Sequence, residues 1–223
     1  MEGESRDFMP AAGRDWLLPL YDPVDRLLRG GRDKARLVRQ AGIRAGERVL
    51  DVGCGTGALV LLVAREEPGA ELTGIDPDPR ALDLARRKAA RARVKARFDR
   101  GYCQELPYEA GSFDVVLSSM MIHHLPTEVK RGLFREVARV LAPGGRFHAL
   151  DFGPPRGPWS RLTARLLRGH GSIAENLDGG LPALMAEAGL EDVRETGFAL
   201  RPIGALAYYA ARVPDPAAAG SAG

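Results

Sequence analysis

Residues 49–57 read VLDVGCGTG, and this short segment determines the fold class of the chain. An apolar run leads into three alternating glycines, and a helical pattern starts near Ala58. Glycine has no Cβ, so a loop of this kind can turn sharply and lets a ligand approach the backbone closely. The segment therefore predicts a strand, a ligand-binding loop and a helix in direct succession.

A carboxylate follows at the distance that a nucleotide site requires. The next apolar strand, AELTGID, ends at Asp76, about 20 residues beyond Gly57, where ribose-binding carboxylates stand in dinucleotide-binding folds. A structural turn followed by a solvated aspartate is the alternative interpretation. The combination of loop, helix and second strand favours the nucleotide site.

The chain opens with two expected helices, and strands and helices alternate from Glu47 onward. Such alternation is typical of an α/β fold in which helices cover both faces of a mostly parallel sheet. The expected helices are 22–30, 32–41, 58–66, 79–92, 127–141 and 181–190, and the expected strands are 48–53, 70–76, 94–98, 112–119, 146–152, 193–200 and 203–212.

Composition agrees with one globular domain that carries appendages. The chain has 223 residues, of which 45% are hydrophobic and 27% charged, and its net charge of +3 is too small to indicate a polyanionic partner. We expect residues 1–44 to form a helical N-terminal cover and residues 45–212 the ligand-binding domain. An insertion near 153–180 is rich in proline and glycine and is interpreted as a lid, and residues 213–223 are expected to form a flexible tail.

Cysteine usage and apolar patterning bear on the location of the protein. Cys54 and Cys103 are the only cysteines, and they have neither metal-ligand spacing nor a secreted disulfide framework around them. The first ten residues lack a signal-peptide pattern, and no segment approaches about 18 consecutive apolar residues. A cytoplasmic chain without membrane insertion and without a metal site is the expectation.

Charge distinguishes between the nucleotides that the loop could bind. In a dinucleotide site the pyrophosphate lies at the helix N-terminus, where the carboxylate of Asp51 would repel it. The glycine spacing is G-x-G-x-G, and no phosphate-binding G-x-x-x-x-G-K-[ST] sequence occurs. A ligand with a ribose, an ammonium group and no phosphate satisfies these constraints, and S-adenosylmethionine is such a ligand.

The sequence resembles the class I S-adenosylmethionine-dependent methyltransferases, and most closely those that act on ubiquinone, menaquinone and related small molecules. VLDVGCGTG resembles the first motif of the family, and GIDPDPRALDLARRKA resembles its second strand and following helix. FDRGYCQELPYEAGSFDVVLSSMMIHHL and REVARVLAPGGRFHALDF resemble the regions of the third, fourth and fifth strands. The resemblance is close over residues 45–152. It implies a Rossmann-like sheet of seven strands with an antiparallel last strand, and transfer of a methyl group to an O, N or C atom of a small molecule.

The resemblance also implies roles for individual residues. Asp51 would lie near the ammonium group of S-adenosylmethionine, and Asp76 would accept both ribose hydroxyls. Pro77 would pack beside the adenine and Ser118 would border the sulfonium, whereas Tyr102 replaces the acidic residue that commonly meets the adenine amino group. The other implied cofactor-binding residues are Gly53, Cys54, Gly55, Thr56 and Gly57 in the turn and Cys103, Gln104 and Leu106 beside the adenine.

Three residues are candidates for the chemical step. Methyl transfer is an in-line displacement, so the protein mainly aligns the reactants and excludes water, but an acceptor that must lose a proton also needs a base. His123 and His124 follow the fourth strand, and Asp151 ends the fifth, at the edge where open α/β sheets bind ligands. Packing at a helix start and a turn or cap role are the alternative interpretations. His148 lies inside a strand and is predicted to be a core residue.

Acceptor recognition is expected from the N-terminal cover and the insertion. The aromatic residues there could line an apolar pocket, although burial in the core is the commoner fate of such side chains. They are Trp16, Tyr21, Trp159 and His170.

Two other functions are kept beside this one. A basic run between Arg80 and Arg100 suggests a nucleic-acid methyltransferase, but such runs are usually solvated helix faces, and no [NDS]-P-P-[YFW] sequence follows the fourth strand. Replacement of the usual acidic residue by Tyr102 suggests a non-catalytic S-adenosylmethionine-binding protein. A homo-oligomer is compatible with the sequence.

Overall fold

The structure is a computed structural model and describes residues 30–169 and 171–215. Residues 22–29 of the first expected helix lie outside this part, as does the expected tail from residue 216 onward. Three of the aromatic residues assigned to an acceptor pocket also lie outside the described residues. They are Trp16, Tyr21 and His170.

A seven-stranded sheet forms the centre of the molecule. Its order is β3-β2-β1-β4-β5-β7-β6. Strands β1 to β5 pair in parallel, and β7 runs antiparallel to both β5 and β6, which confirms the predicted fold class. The strands are β1 (Arg48–Val52), β2 (Glu71–Asp76), β3 (Ala96–Arg100), β4 (Phe113–Ser119), β5 (Leu141–Phe152), β6 (Glu191–Arg201) and β7 (Gly204–Arg212).

Helices cover both faces of this sheet. Leu37, Leu59 and Leu82 belong to the apolar core on one face, and Leu133 and Leu184 belong to the core on the other. Within the described residues, no helix is both long and apolar enough to cross a bilayer. The helices are α1 (Gly30–Ala41), α2 (Ala58–Glu66), α3 (Pro79–Ala92), α4 (Thr127–Val140), α5 (Pro158–Leu167), α6 (Ala174–Leu177) and α7 (Leu181–Glu187).

Local signals explain the helix that follows β2. The Asp78 side chain accepts a hydrogen bond from the backbone N–H of Arg80 (2.9 Å), and Pro79 occupies the first turn. The predicted bounds of this helix, 79–92, are confirmed. His148 is buried, and its Nδ1 lies 3.0 Å from Nε2 of Gln40, so its prediction as a core residue is also confirmed.

The starts of β3 and β5 differ from those predicted for reasons that the structure shows. Strand β3 starts at Ala96 and not at Val94, because Arg93 adopts a left-handed conformation and the N–H of Val94 donates to Ala89 O (2.9 Å) to close helix α3. Strand β5 starts at Leu141, directly after α4. Pro143-Gly144-Gly145 was expected to separate helix and strand, but this segment lies within β5, where the pairing with β4 shifts its register.

Candidate active site

The predicted site residues gather at the carboxyl edge of the parallel strands. The sheet order places β1 beside β4, so the chain connections lead in opposite directions from this pair. Such a switch point leaves a crevice outside the strand ends, where ligands bind in open α/β sheets. The loops that follow β1, β2, β4 and β5 surround this crevice.

The glycine loop after β1 is held by the end of β2. The N–H groups of Gly53 and Cys54 donate to the carbonyl of Ile75 (2.9 and 3.0 Å). Gly53 has a φ of 74°, and a Cβ on it would lie 2.4 Å from Cγ of Met121, so the backbone conformation and the neighbouring side chain both require glycine. The loop therefore packs directly against the segment after β4 that leads to His123.

A lysine from helix α3 supports the other end of the loop. Nζ of Lys88 donates to the carbonyl of Thr56 (2.9 Å) and lies 2.8 Å from its hydroxyl. The sequence interpretation placed Lys88 on a solvated basic face, so this contact corrects it. Arg86 of the same run donates to the carbonyl of Phe98 (2.7 Å), whereas Arg87 and Arg91 are exposed.

Asp51 presents a buried carboxylate in the crevice. It is 3% exposed, and its Oδ2 has no hydrogen-bond partner among the described residues. Burial raises the pKa of Asp51 to about 7, although the positive charge of Lys34 opposes the rise. A buried acceptor without a donor is costly, and an ammonium group placed here would supply one.

Asp76 accepts hydrogen bonds from the backbone of the loops that follow β1 and β2. Its Oδ2 accepts the N–H of Gly55 (2.8 Å), and its Oδ1 accepts the N–H of Asp78 (3.0 Å). A carboxylate has about four lone-pair sites, so both oxygens can accept further hydrogen bonds. Asp76 therefore organises the glycine loop and can still receive a ligand's hydroxyl groups.

The residues assigned to the adenine side lie where the loop after β3 meets β2. The N–H of Gly101 donates to the carbonyl of Asp76 (3.3 Å), and Arg100 donates to the carbonyl of Pro77 (3.3 Å). Gln104 packs against Gly132 of helix α4, and the N–H of Leu106 donates to Glu136 (2.7 Å). Helix α4 thus fixes the loop against the end of β2.

The two thiols are not activated. Burial raises the pKa of Cys103 to about 12 and also raises the pKa of Cys54. Both are free cysteines, which agrees with their interpretation as structural residues. Ser118 is fully buried, and its hydroxyl donates to the carbonyl of Val52 (3.2 Å), so this hydroxyl links β4 to β1.

His123 and Asp151 form a hydrogen-bonded pair at the ends of β4 and β5. Nδ1 of His123 lies 2.8 Å from Oδ1 of Asp151, whose side chain is fully buried. Burial alone would raise the pKa of Asp151, but the His123 charge and hydrogen bonds from His123, Phe152 and Ile122 outweigh it and lower this pKa. An ionised carboxylate only accepts, so Nδ1 of His123 carries a proton, and in the neutral form of the imidazole the lone pair is on Nε2.

His124 occupies a different environment from its neighbour. Its ring centroid lies 3.9 Å from that of His123, and burial lowers the pKa of His124 to about 4. The ring of Phe152 meets His123 edge to face, with centroids 4.9 Å apart. The imidazole of His123 thus lies between two ring systems, while its Nδ1 is directed at Asp151.

Two residues that the sequence analysis missed hold Asp151 in place. Nδ2 of Asn176 donates to Oδ1 of Asp151 (3.1 Å), and Nζ of Lys130 donates to Oδ1 of Asn176 (2.7 Å) and to Ser172 O (2.7 Å). Both side chains are fully buried. Lys130 has the helical spacing of Leu133, which puts a lysine on the apolar face of α4 and was a usable signal. Asn176 lies in α6 of the insertion and carries no comparable signal.

The described residues do not enclose Trp159, which was assigned to an acceptor pocket or the core. Its side chain is 61% exposed, and Nε1 donates to the carbonyl of Pro202 (3.2 Å). Trp159 is therefore not a core residue, and its assignment to a pocket stays a prediction. It lies on the outer face of helix α5.

Comparison with known proteins agrees with this geometry. A family model described as "Methyltransferase domain" matches residues 49–145. The demethylmenaquinone methyltransferase of Thermus thermophilus is 39% identical over 142 residues, which are 62% of this chain and 64% of that protein. The methyltransferase GfsG of Streptomyces halstedii is 32% identical over 196 residues, which are 80% of this chain and 69% of that protein.

A solved structure supports the fold alone. Phosphoethanolamine N-methyltransferase 2 of Haemonchus contortus, in complex with phosphomonomethylethanolamine and S-adenosylhomocysteine, has a TM-score of 0.69 at 18% identity. The match covers 82% of this chain and 53% of that one.

These findings define a Rossmann-like α/β protein whose glycine loop and buried carboxylates lie at one edge of the sheet. The chain belongs to the S-adenosylmethionine-dependent methyltransferase family. It spans between 52% and 64% of the length of the demethylmenaquinone methyltransferases that it matches.

Proposed function

We propose that this protein transfers the methyl group of S-adenosylmethionine to a small quinone-type or phenolic acceptor whose reacting atom must lose a proton. The observation that carries the proposal is the His123–Asp151 pair, at the same sheet edge as the buried carboxylate of Asp51. The name of the demethylmenaquinone relative supports an acceptor of this class. The free thiols of Cys54 and Cys103 agree with activity in a reducing cytoplasm.

The described residues fit the cofactor. S-adenosylmethionine supplies, when bound, a methyl group made electrophilic by the sulfonium. Asp51 offers its unpartnered oxygen to the ammonium group, and Asp76 offers lone pairs to the ribose hydroxyls. A Cβ on Gly55 would meet no described atom within 4 Å, so the space over this residue is open to a ligand.

The His123–Asp151 pair accounts for removal of the acceptor's proton. The Asp151 carboxylate accepts a hydrogen bond from the Nδ1–H group of His123 and thereby leaves Nε2 as the base. When Nε2 takes the proton, the imidazolium that forms stays beside an ionised carboxylate, which stabilises the positive charge. His124 is a much weaker base, because burial lowers its pKa to about 4 and thereby disfavours the imidazolium that proton uptake would form, and no described hydrogen bond joins its ring to a carboxylate.

Incubation of the purified chain with methyl-labelled S-adenosylmethionine and a panel of reduced quinones, phenols, small amines and RNA tests this proposal. We expect label in a quinol or phenol. Label confined to RNA would overturn the acceptor class. Binding of S-adenosylmethionine without transfer to any acceptor would instead identify a non-catalytic binding protein.

Binding of S-adenosylmethionine is expected to depend on pH through Asp51. The pKa of Asp51 is about 7 in the free protein, so this carboxyl is largely protonated at pH 6. An ammonium group binds the ionised form, and binding below pH 7 therefore releases a proton. Between pH 7 and pH 5.5 the affinity should fall by about 15-fold in total.

Calorimetry in two buffers of different ionisation enthalpy measures this proton release directly. Asp51→Asn should bind more weakly at pH 7.5 and should lose the proton release, whereas Asp83→Asn, a change at an exposed carboxylate of α3, should behave like the unchanged chain. Proton release that persists in Asp51→Asn would assign the titration to another group.

A further inference from the structure

Helix α5 carries its large apolar side chains on its outer face. Trp159, Leu162 and Leu166 are 61%, 50% and 67% exposed, and their spacing of three and four residues places them in one stripe. The helix of a globular domain normally has the opposite arrangement, with its apolar stripe toward the core. The buried residues of α5 are small, namely Ser160, Thr163 and Ala164, and Leu167 is the exception among its large apolar side chains, because it is partly buried against the core.

The apolar surface continues onto the hairpin between β6 and β7. The indole N–H of Trp159 donates to Pro202 O, which joins the start of α5 to the hairpin tip. Leu200 and Ile203 are 53% and 38% exposed there. We call Trp159, Leu162, Leu166, Leu200 and Ile203 the α5 patch. A contiguous exposed apolar surface of this kind marks an interaction site.

Only positive charges accompany the patch along α5. Residues 153–169 contain four arginines and no acidic residue. Arg161 and Arg165 are exposed on the helix itself, whereas Arg168 pairs with Asp178. An apolar stripe interleaved with arginine matches a partner surface that is apolar in its interior and negatively charged at its boundary.

The same charges disfavour a second copy of this chain as the partner. A two-fold dimer places a patch against itself, so the Arg161 and Arg165 side chains of one copy would face those of the other. Like charges brought together at an interface cost free energy. An anionic lipid surface has no such conflict.

We propose that the α5 patch docks this protein on the surface of a membrane that contains anionic lipid. Trp159, Leu162 and Leu166 enter the boundary between headgroups and acyl chains, and Arg161 and Arg165 contact lipid phosphates. The five residues 153–157 connect α5 to the end of β5, so docking brings the His123–Asp151 edge close to the lipid. The proposal goes beyond methyl transfer and does not depend on it.

Vesicle binding by the full chain tests the docking without any assay of activity. The change Trp16→Phe leaves Trp159 as the single tryptophan. With vesicles of phosphatidylcholine and phosphatidylglycerol we expect co-sedimentation and a blue shift of Trp159 emission, both weaker with phosphatidylcholine alone and at high salt. Leu162→Ser/Leu166→Ser should lower the partition coefficient by at least about tenfold.

The charge contribution has a matched control on another helix. Arg161→Gln/Arg165→Gln should lower binding by about tenfold and remove the preference for phosphatidylglycerol. Arg87→Gln/Arg91→Gln removes the same charge from the exposed face of α3 and should bind like the unchanged chain. The substituted leucines and arginines are all exposed, and thermal unfolding verifies that each variant is folded.

Several results would overturn the proposal. Vesicle binding that is absent, or unchanged in Leu162→Ser/Leu166→Ser, would exclude lipid docking by this patch. A dimer that dissociates in the same variant would assign the patch to a second copy. In the free Trp16→Phe chain, protection of Trp159 from acrylamide quenching would show that another part of the chain covers the patch.

Discussion

Replacing His123 by alanine is expected to lower kcat/KM for an acceptor that must lose a proton by about 10²–10⁴-fold. Nδ1 of His123 lies 2.8 Å from the buried Asp151 carboxylate, and this contact leaves Nε2 as the base. Removal of the imidazole leaves Asp51 and Asp76, the proposed cofactor ligands, in place. The dissociation constant of S-adenosylmethionine should therefore change little, as calorimetry can verify.

Two companion variants give this prediction its control. Asp151→Asn should cause a loss of similar order, because an amide N–H directed at Nδ1 favours the wrong tautomer of His123. His124→Ala should lower kcat/KM less than about tenfold, since His124 has no described contact with Asp151. Equal losses in His123→Ala and His124→Ala would refute a specific base, and full activity of His123→Ala would mean that alignment alone suffices.

Replacing Asp76 by alanine is expected to weaken binding of S-adenosylmethionine and S-adenosylhomocysteine between about a hundredfold and about twenty-thousandfold. Each ribose hydroxyl would lose a hydrogen bond to a carboxylate, worth about 1.5–3 kcal/mol. Loss of the acceptor for the Gly55 and Asp78 N–H groups should also lower the free energy of unfolding by about 1–3 kcal/mol. Calorimetry and urea unfolding measure the two effects separately.

Asp78→Ala is the matched control for Asp76→Ala. It removes a buried carboxylate and the cap of helix α3, a loss of about 1 kcal/mol in stability, but no proposed ribose contact. Its effect on cofactor binding should stay within about fivefold, which is roughly the 1 kcal/mol of the lost cap. Methylthioadenosine, which has the ribose and lacks the amino-acid group, should lose affinity in Asp76→Ala and keep it in Asp51→Asn. The opposite pattern would reverse the two assignments.

The cofactor side of the site could be predicted from sequence because its determinants are local. The loop at 53–57 and the carboxylate at Asp76 each follow directly from a strand, and parallel strands bring their carboxyl ends to one edge. The same rule placed His123 and Asp151 together, since β4 and β5 are neighbours.

Contacts between distant segments could not be predicted in this way. Asn176 reaches Asp151 only because the insertion folds back over the end of β5, and no periodicity encodes that path. Lys88 was interpreted as part of a solvated run because its partner, Thr56, is 32 residues away in the chain. Trp159 was assigned to a pocket or the core because aromatic residues are usually buried. Its side chain is exposed because α5 carries apolar residues on its outer face, the reverse of the usual pattern.

The contact between Asn176 and Asp151 sets a condition for any attempt to redesign acceptor choice. Replacing residues 171–177 by a foreign loop is an obvious route to a new specificity. The replacement would remove the Asn176 amide that donates to Asp151, together with the oxygens of Ser172 and Asn176 that accept hydrogen bonds from Lys130. A transplanted loop therefore needs an asparagine at the equivalent place. Without this asparagine the redesigned enzyme would lose the ability to remove the acceptor's proton as well as its original selectivity.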